Sequence, residues 1–225
     1  MNNPRNRWWI RPLLLHSIRS SVRRDLAGVW VYGPVPTGGA ILAPNHQSWW
    51  DGYLLKEVAA GRGQPCHVLM TREQLARFPF LRLVGAADAS ELRPLARAAR
   101  GGAWVVVFPE GEISPQGQVN EVQPGAAWLA RQAGVPVIPV AVRVVMRGAQ
   151  WPEAFVRFGP PCPPPDLKTT LNALLAGLDA DLRSTHPDFP PAGYLRWVTG
   201  RASLHDEVSL PSRLLIRLGG FKKES

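Results

Sequence analysis

Short apolar runs rich in valine and isoleucine alternate along this chain with stretches of helical periodicity, and that alternation leaves few folds open. Residues 29–32, 40–43, 66–70, 103–108, 135–145 and 155–158 read as strands. Residues 51–60, 71–84, 91–100, 125–133 and 167–183 read as helices, with Gly134 a natural stop for the fourth. Apolar strands bounded by Gly and Pro and interleaved with helices predict an α/β protein, a sheet packed between helices. Residues 184–209 carry weak signals, including His186-Pro187, Pro190-Pro191 and Gly193, and read as loop plus a short helix. A length of 225 residues fits one domain, or one domain with a small appendage.

Charge divides the chain differently. The net charge is +9, yet residues 25–210 hold sixteen basic and sixteen acidic side chains. The excess sits at the ends: six arginines and no acid in residues 1–24, and a second basic cluster in 211–225. A nucleic-acid-binding domain more often spreads its positive charge over a reading face, so a nucleic-acid partner is not expected. Both ends mix charge with apolar residues. Pro12 suits a first helical position, and Leu14, Leu15, Ile18 and Val22 then recur at steps of three and four, with Arg19, Arg23 and Arg24 largely off that stripe. Residues 1–26 therefore read as a basic amphipathic helix that lies on an anionic membrane surface, and Leu210–Gly219 as a weaker copy. The alternative is that both stripes pack on the body of the protein. No window reaches the eighteen or so apolar residues that a membrane span needs. Two lone cysteines, Cys66 and Cys162, make no disulfide framework and suit a reducing compartment. The expectation is a peripheral protein on the cytoplasmic face of a membrane.

Three clusters carry chemistry. The first is Asn45-His46-Gln47-Ser48-Trp49-Trp50-Asp51, directly after a strand. Five residues apart on one helix, His46 and Asp51 would diverge by about 140°. They meet if His46 sits in the turn and Asp51 in the first helical turn, where the carboxylate fixes the tautomer and leaves the other ring nitrogen as a base. A strand-to-helix turn is also where α/β proteins place ligands. Asn45 and Ser48 read as caps for the helix beginning near Asp51, the alternative being that they belong to the motif itself. The second cluster is Phe108-Pro109-Glu110-Gly111-Glu112, where Gly111 allows close backbone approach and Glu110 brings a carboxylate to the same rim. The third is Val135-Pro136-Val137-Ile138-Pro139-Val140-Ala141-Val142, a dry strand with prolines at its start and middle.

In this order the clusters resemble the signatures of the PlsC-like glycerolipid acyltransferase family: Asn-His-x4-Asp, Phe-Pro-Glu-Gly-Thr-Arg-Ser, and a Val-Pro-x-x-Pro-Val strand. Gly125-Ala126-Ala127-Trp128-Leu129-Ala130 looks like the family as well. The resemblance spans about residues 27–183, leaving 184–225 as a C-terminal extension. It implies the glycerolipid acyltransferase fold, a central mixed sheet flanked by helices, and transfer of an acyl group from acyl-CoA or acyl carrier protein to a lipid hydroxyl in glycerolipid biosynthesis. His46 would be the general base and Asp51 its orienting partner, with no acyl-enzyme. Phe108, Pro109, Glu110 and Gly111 would line the substrate site. No metal or other cofactor is implied. The partners are a lipid acceptor, the acyl donor thioester and an anionic membrane surface.

Two departures stand out. Glu112 and Ile113 occupy the places of the family's Thr-Arg, and Gly85-Ala86-Ala87-Asp88-Ala89-Ser90-Glu91 lacks an arginine found in the corresponding family block. In the family these arginines are understood to hold the acceptor's phosphate, a task suited to a guanidinium. Arg93 could substitute only by a shift of register. The residues thus point toward an uncharged acceptor such as a glycolipid, or toward an inactive lipid-binding member. A zinc site drawn from His46, Asp51, Cys66 and His67 lacks the tight ligand pairs that zinc hydrolases show.

Overall fold

The computed structural model describes residues 9–115, 117–203 and 218. Its helices are α1 (Ile10–Asp25), α2 (Asp51–Gly61), α3 (Arg72–Arg77), α4 (Leu92–Arg100), α5 (Gly125–Ala133) and α6 (Leu167–Ser184). Its strands are β1 (Gly28–Tyr32), β2 (Ala40–Pro44), β3 (Cys66–Leu69), β4 (Ala86–Ala87), β5 (Trp104–Val106), β6 (Val137–Val145), β7 (Glu153–Phe158) and β8 (Leu195–Thr199). All eight strands share one sheet in the order β4-β3-β5-β2-β6-β7-β1-β8. The run from β4 to β6 is parallel. β7 returns antiparallel to β6, and β8 antiparallel to β1, so the sheet is mixed as expected.

Side-chain alternation along the strands divides the core between two faces. Leu42, Val106 and Val140 point to one face, where Leu54, Leu55 and Val58 of α2 and Val22 of α1 cover them. Ile41, Ala43, Val105 and Val107 point to the other, under Leu95 and Ala99 of α4 and Leu129 and Ala133 of α5. On that same face α6 lays down Leu171, Leu175 and Leu178, one helical stripe, against Ala141 and Phe155. Each leucine so buried contributes about 1.5–3 kcal/mol. The result is three layers, with the carboxyl ends of the parallel strands gathered at one rim.

Several elements differ from the sequence reading. The helix expected over 71–84 breaks at Phe78, because Pro79 pushes the residue before it out of the helical region; Phe78 has φ −126 and ψ 62, and Pro79–Val84 continue as a 3-10 helix. α1 begins two residues before Pro12, which a first turn tolerates because its N–H groups have no partner within the helix. Part of 184–209, expected as loop and helix, instead supplies β8, an edge strand with only Val198 buried. The stripe on α1 is also split. Ile18 and Val22 pack on the body, and Arg19 bonds Glu57 of α2 at 3.2 Å, while Trp9, Leu13 and Leu15 remain exposed. The second basic helix expected at Leu210–Gly219 lies outside the described residues, save Leu218.

Candidate active site

β2 delivers its chain to the middle of the sheet rim. Asn45 is fully buried there and continues the pairing with β6 by side chain: its amide donates to Val142 O at 3.1 Å, and its carbonyl accepts from Val142 N at 2.7 Å. The capping role expected of Asn45 is therefore corrected to a strand-end anchor. Ser48 Oγ accepts from Trp50 N at 2.9 Å, inside the turn, and α2 has no side-chain cap at its start.

The turn places His46 Nδ1 3.0 Å from Asp51 Oδ2. That oxygen also accepts the backbone N–H groups of Gln47 and Ser48, each at 2.9 Å. A carboxylate oxygen committed to two N–H donors is an acceptor toward the ring as well, so Nδ1 is the donor in this contact and Nε2 is left unengaged by Asp51. Asp51 is buried to 1 % exposure and His46 to 19 %, so the pair is shielded while the ring stays reachable.

The second cluster closes on the first. The Phe108 ring stacks on the His46 ring, centroids 3.9 Å apart and planes at 22°. Glu110 Oε1 accepts the His46 backbone N–H at 2.7 Å, and His46 O accepts from Ser114 N at 2.8 Å. Gly111 turns with φ +80, a conformation open mainly to glycine. Pro109 is buried, and its carbonyl accepts from Gln123 N at 2.7 Å.

A cavity of about 670 Å³ opens beside His46 between α1, α2, β3 and the 3-10 helix. Its walls are chiefly apolar, with Phe108, Val68, Met70, Leu81 and Val84 among them, and Tyr53 and Lys56 of α2 add polar groups. Gly111, Glu112 and Ile113 form part of the mouth, whereas Pro109 and Glu110 do not reach the lining. The structure thus brings His46, Asp51, Phe108 and Gly111 to one place, and puts Glu110 behind the turn. Lys56 donates to the carbonyls of Cys66 and Val84 deep in the cavity, and burial lowers its pKa. Burial likewise pushes the Cys66 thiol up to about 11, so it is no nucleophile at neutral pH.

Among the described residues no arginine lines this cavity. Arg82 is held by Asp88 at 2.6 Å and by Glu91. Arg93 lies with Arg97 and Arg100 in a separate cleft of about 250 Å³ between α4 and α5. Also among the described residues, no three His, Cys, Asp or Glu side chains converge as metal ligands would. Sequence reasoning missed Tyr53 and Lys56, whose three-residue spacing on α2 was the available signal, and Gln47 with Arg143 and Asp179, for which there was none.

Fold and site together define a three-layer α/β protein with a histidine–aspartate pair at the mouth of an apolar cavity. The Acyltransferase family model matches residues 28–143, just over half of the chain, and the chain belongs to that family. The 1-acyl-sn-glycerol-3-phosphate acyltransferase of Pseudomonas aeruginosa is 31% identical over 161 residues, covering 65% of this chain. The match spans 58% of that relative's length. The crystal structure of the 1-acyl-sn-glycerophosphate (LPA) acyltransferase PlsC from Thermotoga maritima shares the fold, with a TM-score of 0.54 and 22% identity over 80% of this chain and 84% of that one.

Proposed function

We propose that this protein is an O-acyltransferase that moves a fatty acyl group from a thioester, acyl-CoA or acyl carrier protein, to a hydroxyl of a glycerolipid. One observation carries the reading: His46, tied to Asp51 at 3.0 Å, stands at the mouth of a largely apolar cavity in a chain of the Acyltransferase family. The cavity suits an acyl chain, whose apolar surface gains by leaving water. His46 Nε2 takes the proton of the acceptor hydroxyl as its oxygen attacks the thioester carbonyl. The C–O bond forms, the C–S bond breaks, and the departing thiolate receives that proton from the imidazolium. Asp51 holds the ring and stabilises its charged form. Written this way, the reaction uses no acyl-enzyme, metal or prosthetic group.

The protein works as a peripheral enzyme on the cytoplasmic face of an anionic membrane. Trp9, just before α1, and Leu13 and Leu15 on it are exposed, and so are Trp49 and Ile113 at the cavity mouth, while Arg11, Arg19, Arg23 and Arg24 supply charge on α1. Among the described residues no helix is long and apolar enough to cross a membrane.

For the acceptor, the first reading is the lysophosphatidate that the two relatives' names point to. A second is an acceptor without phosphate, favoured by the absence of arginine from the described cavity lining and by the exposed Ile113 in the place of the family's arginine. The test is transfer from labelled acyl-CoA, wild type beside His46→Ala, to lysophosphatidate, a lysophospholipid, a glycolipid and a lipid alcohol. Transfer that His46→Ala abolishes supports the enzyme, and the acceptor used decides between the two readings. Transfer to none of them, or transfer that survives His46→Ala, overturns the proposal.

A further inference from the structure

Arg143 of β6 is buried to 5 % exposure, yet its guanidinium lies in a chain of contacts that leads to the His46 turn. Nε and Nη2 grip both oxygens of Asp179 on α6, at 2.7 and 2.9 Å. Nη1 donates to Gln47 Oε1. The amide nitrogen of Gln47 in turn donates to Pro115 O at 3.3 Å and Gly117 O at 3.2 Å. Gln47 is the residue after His46, and its backbone N–H is one of the two that fix Asp51. Two turns before Asp179 on α6, Asn172 clamps the same loop further on, donating to Val119 O at 3.0 Å and accepting from Val119 N at 2.7 Å.

A buried guanidinium needs a counter-charge, and a bidentate carboxylate also fixes its plane. Asp179 thereby turns Arg143 from a flexible side chain into a fixed peg. Gln47 hangs on that peg by its carbonyl and holds the Pro115 and Gly117 carbonyls by its amide. We propose that Arg143 is a positioning residue for His46, and that the Asp179–Arg143–Gln47 relay sets the ring's place at the cavity without touching substrate. The family match ends at residue 143, so the relay borrows its anchor from α6, beyond the matched region. The inference rests on the reading of His46 as the base. The competing account is an ion pair that only fastens α6 to the sheet.

The experiment uses the full chain, with Arg143→Lys, Asp179→Asn, Asp179→Glu, Gln47→Ala and the double variant Gln47→Ala/Asp179→Asn. Three quantities are read: kcat and KM in acyl transfer, the thermal midpoint, and the ring nitrogen NMR signals of His46, assigned by their loss in His46→Ala. Each disruptive single variant is expected to lower kcat on the order of 10- to 100-fold, as small misplacements of a reacting group do. KM for the acyl donor stays within about threefold, since ground-state binding is untouched. The double variant falls no further than its worse single, because both break one relay. Asp179→Glu recovers part of the loss, and the His46 signals move in Asp179→Asn. A lowered thermal midpoint with unchanged kcat, kcat losses that multiply in the double variant, or unmoved His46 signals overturn the relay. Should Arg143→Lys fail to fold, the Asp179 and Gln47 variants decide. Should the wild type transfer no acyl group, the proposed function fails, and the His46 signals alone decide the relay.

Discussion

The Asp51 oxygen that meets His46 Nδ1 at 3.0 Å is the same oxygen that closes the turn by accepting the backbone N–H groups of Gln47 and Ser48. One buried carboxylate at the start of α2 therefore does two things, building the loop and orienting the ring.

The two roles separate by substitution. Asp51→Asn keeps an oxygen for the backbone donors but is a poor acceptor for the imidazole. The expected result is a folded protein whose kcat falls on the order of 100- to 10,000-fold with KM little changed. Asp51→Ala leaves buried N–H groups without an acceptor, each costing about 1–3 kcal/mol, and lowers the denaturant midpoint as well. Steady-state kinetics beside urea unfolding read both. An Asp51→Asn enzyme with wild-type kcat would remove Asp51 from the mechanism.

Membrane binding tests α1. Leu13 is 58 % exposed, so Leu13→Ser changes stability by no more than about 0.5 kcal/mol. The double substitution Leu13→Ser/Leu15→Ser is expected to weaken binding to anionic vesicles at least tenfold, the scale set by burying two leucines. Cosedimentation should also weaken at high salt, because α1 carries four arginines. Binding that survives both changes would place the membrane contact elsewhere.

How much of this was legible in the sequence follows from where the information lies. The His46–Asp51 turn was legible because all its parts are local: a strand, a turn and a helix start within residues 40–51. The helix at Gly125–Ala133 was legible to its ends, since Gly134 takes φ +66, the left-handed stop expected there. β8 was not, because an edge strand with one buried side chain leaves almost no apolar pattern. β4, two residues long, leaves none either. Asn45 was misread as a cap because its partner, Val142, lies 97 residues away. Glu110 was placed at the substrate site by the family resemblance, while its bond to the His46 N–H joins residues 64 apart in the chain, a pairing that sequence does not show.

Acid stability offers a test at Asp88. Hydrogen bonds from the Ser90 hydroxyl and backbone, then from Arg82, hold its carboxyl at about 2. A depressed carboxyl contributes stability above its unfolded value of about 3.9. That contribution is lost as the pH falls from about 4 through about 2. The difference in stability between wild type and Asp88→Asn should therefore be constant above pH about 5 and shrink below about 4. Urea unfolding at a series of pH values measures it, and a difference that does not change with pH would mean that Asp88 titrates normally.

Glu110 separates a scaffold from a substrate contact. Its Oε1 accepts the His46 N–H at 2.7 Å, and the residue does not reach the cavity lining. Glutamine has the same shape and retains a carbonyl oxygen for that N–H, while losing the charge. If the residue serves the turn, Glu110→Gln keeps kcat and the acceptor KM within about threefold of wild type. Glu110→Ala orphans the His46 N–H, costs about 1–3 kcal/mol and lowers kcat by loosening the ring's support. If the carboxylate instead binds the acceptor, Glu110→Gln alone raises the acceptor KM at least tenfold, because hydrogen bonds to a charged group are the stronger ones. The geometry favours the first outcome: the charge-removing variant leaves the enzyme working, and only the shape-removing one disables it.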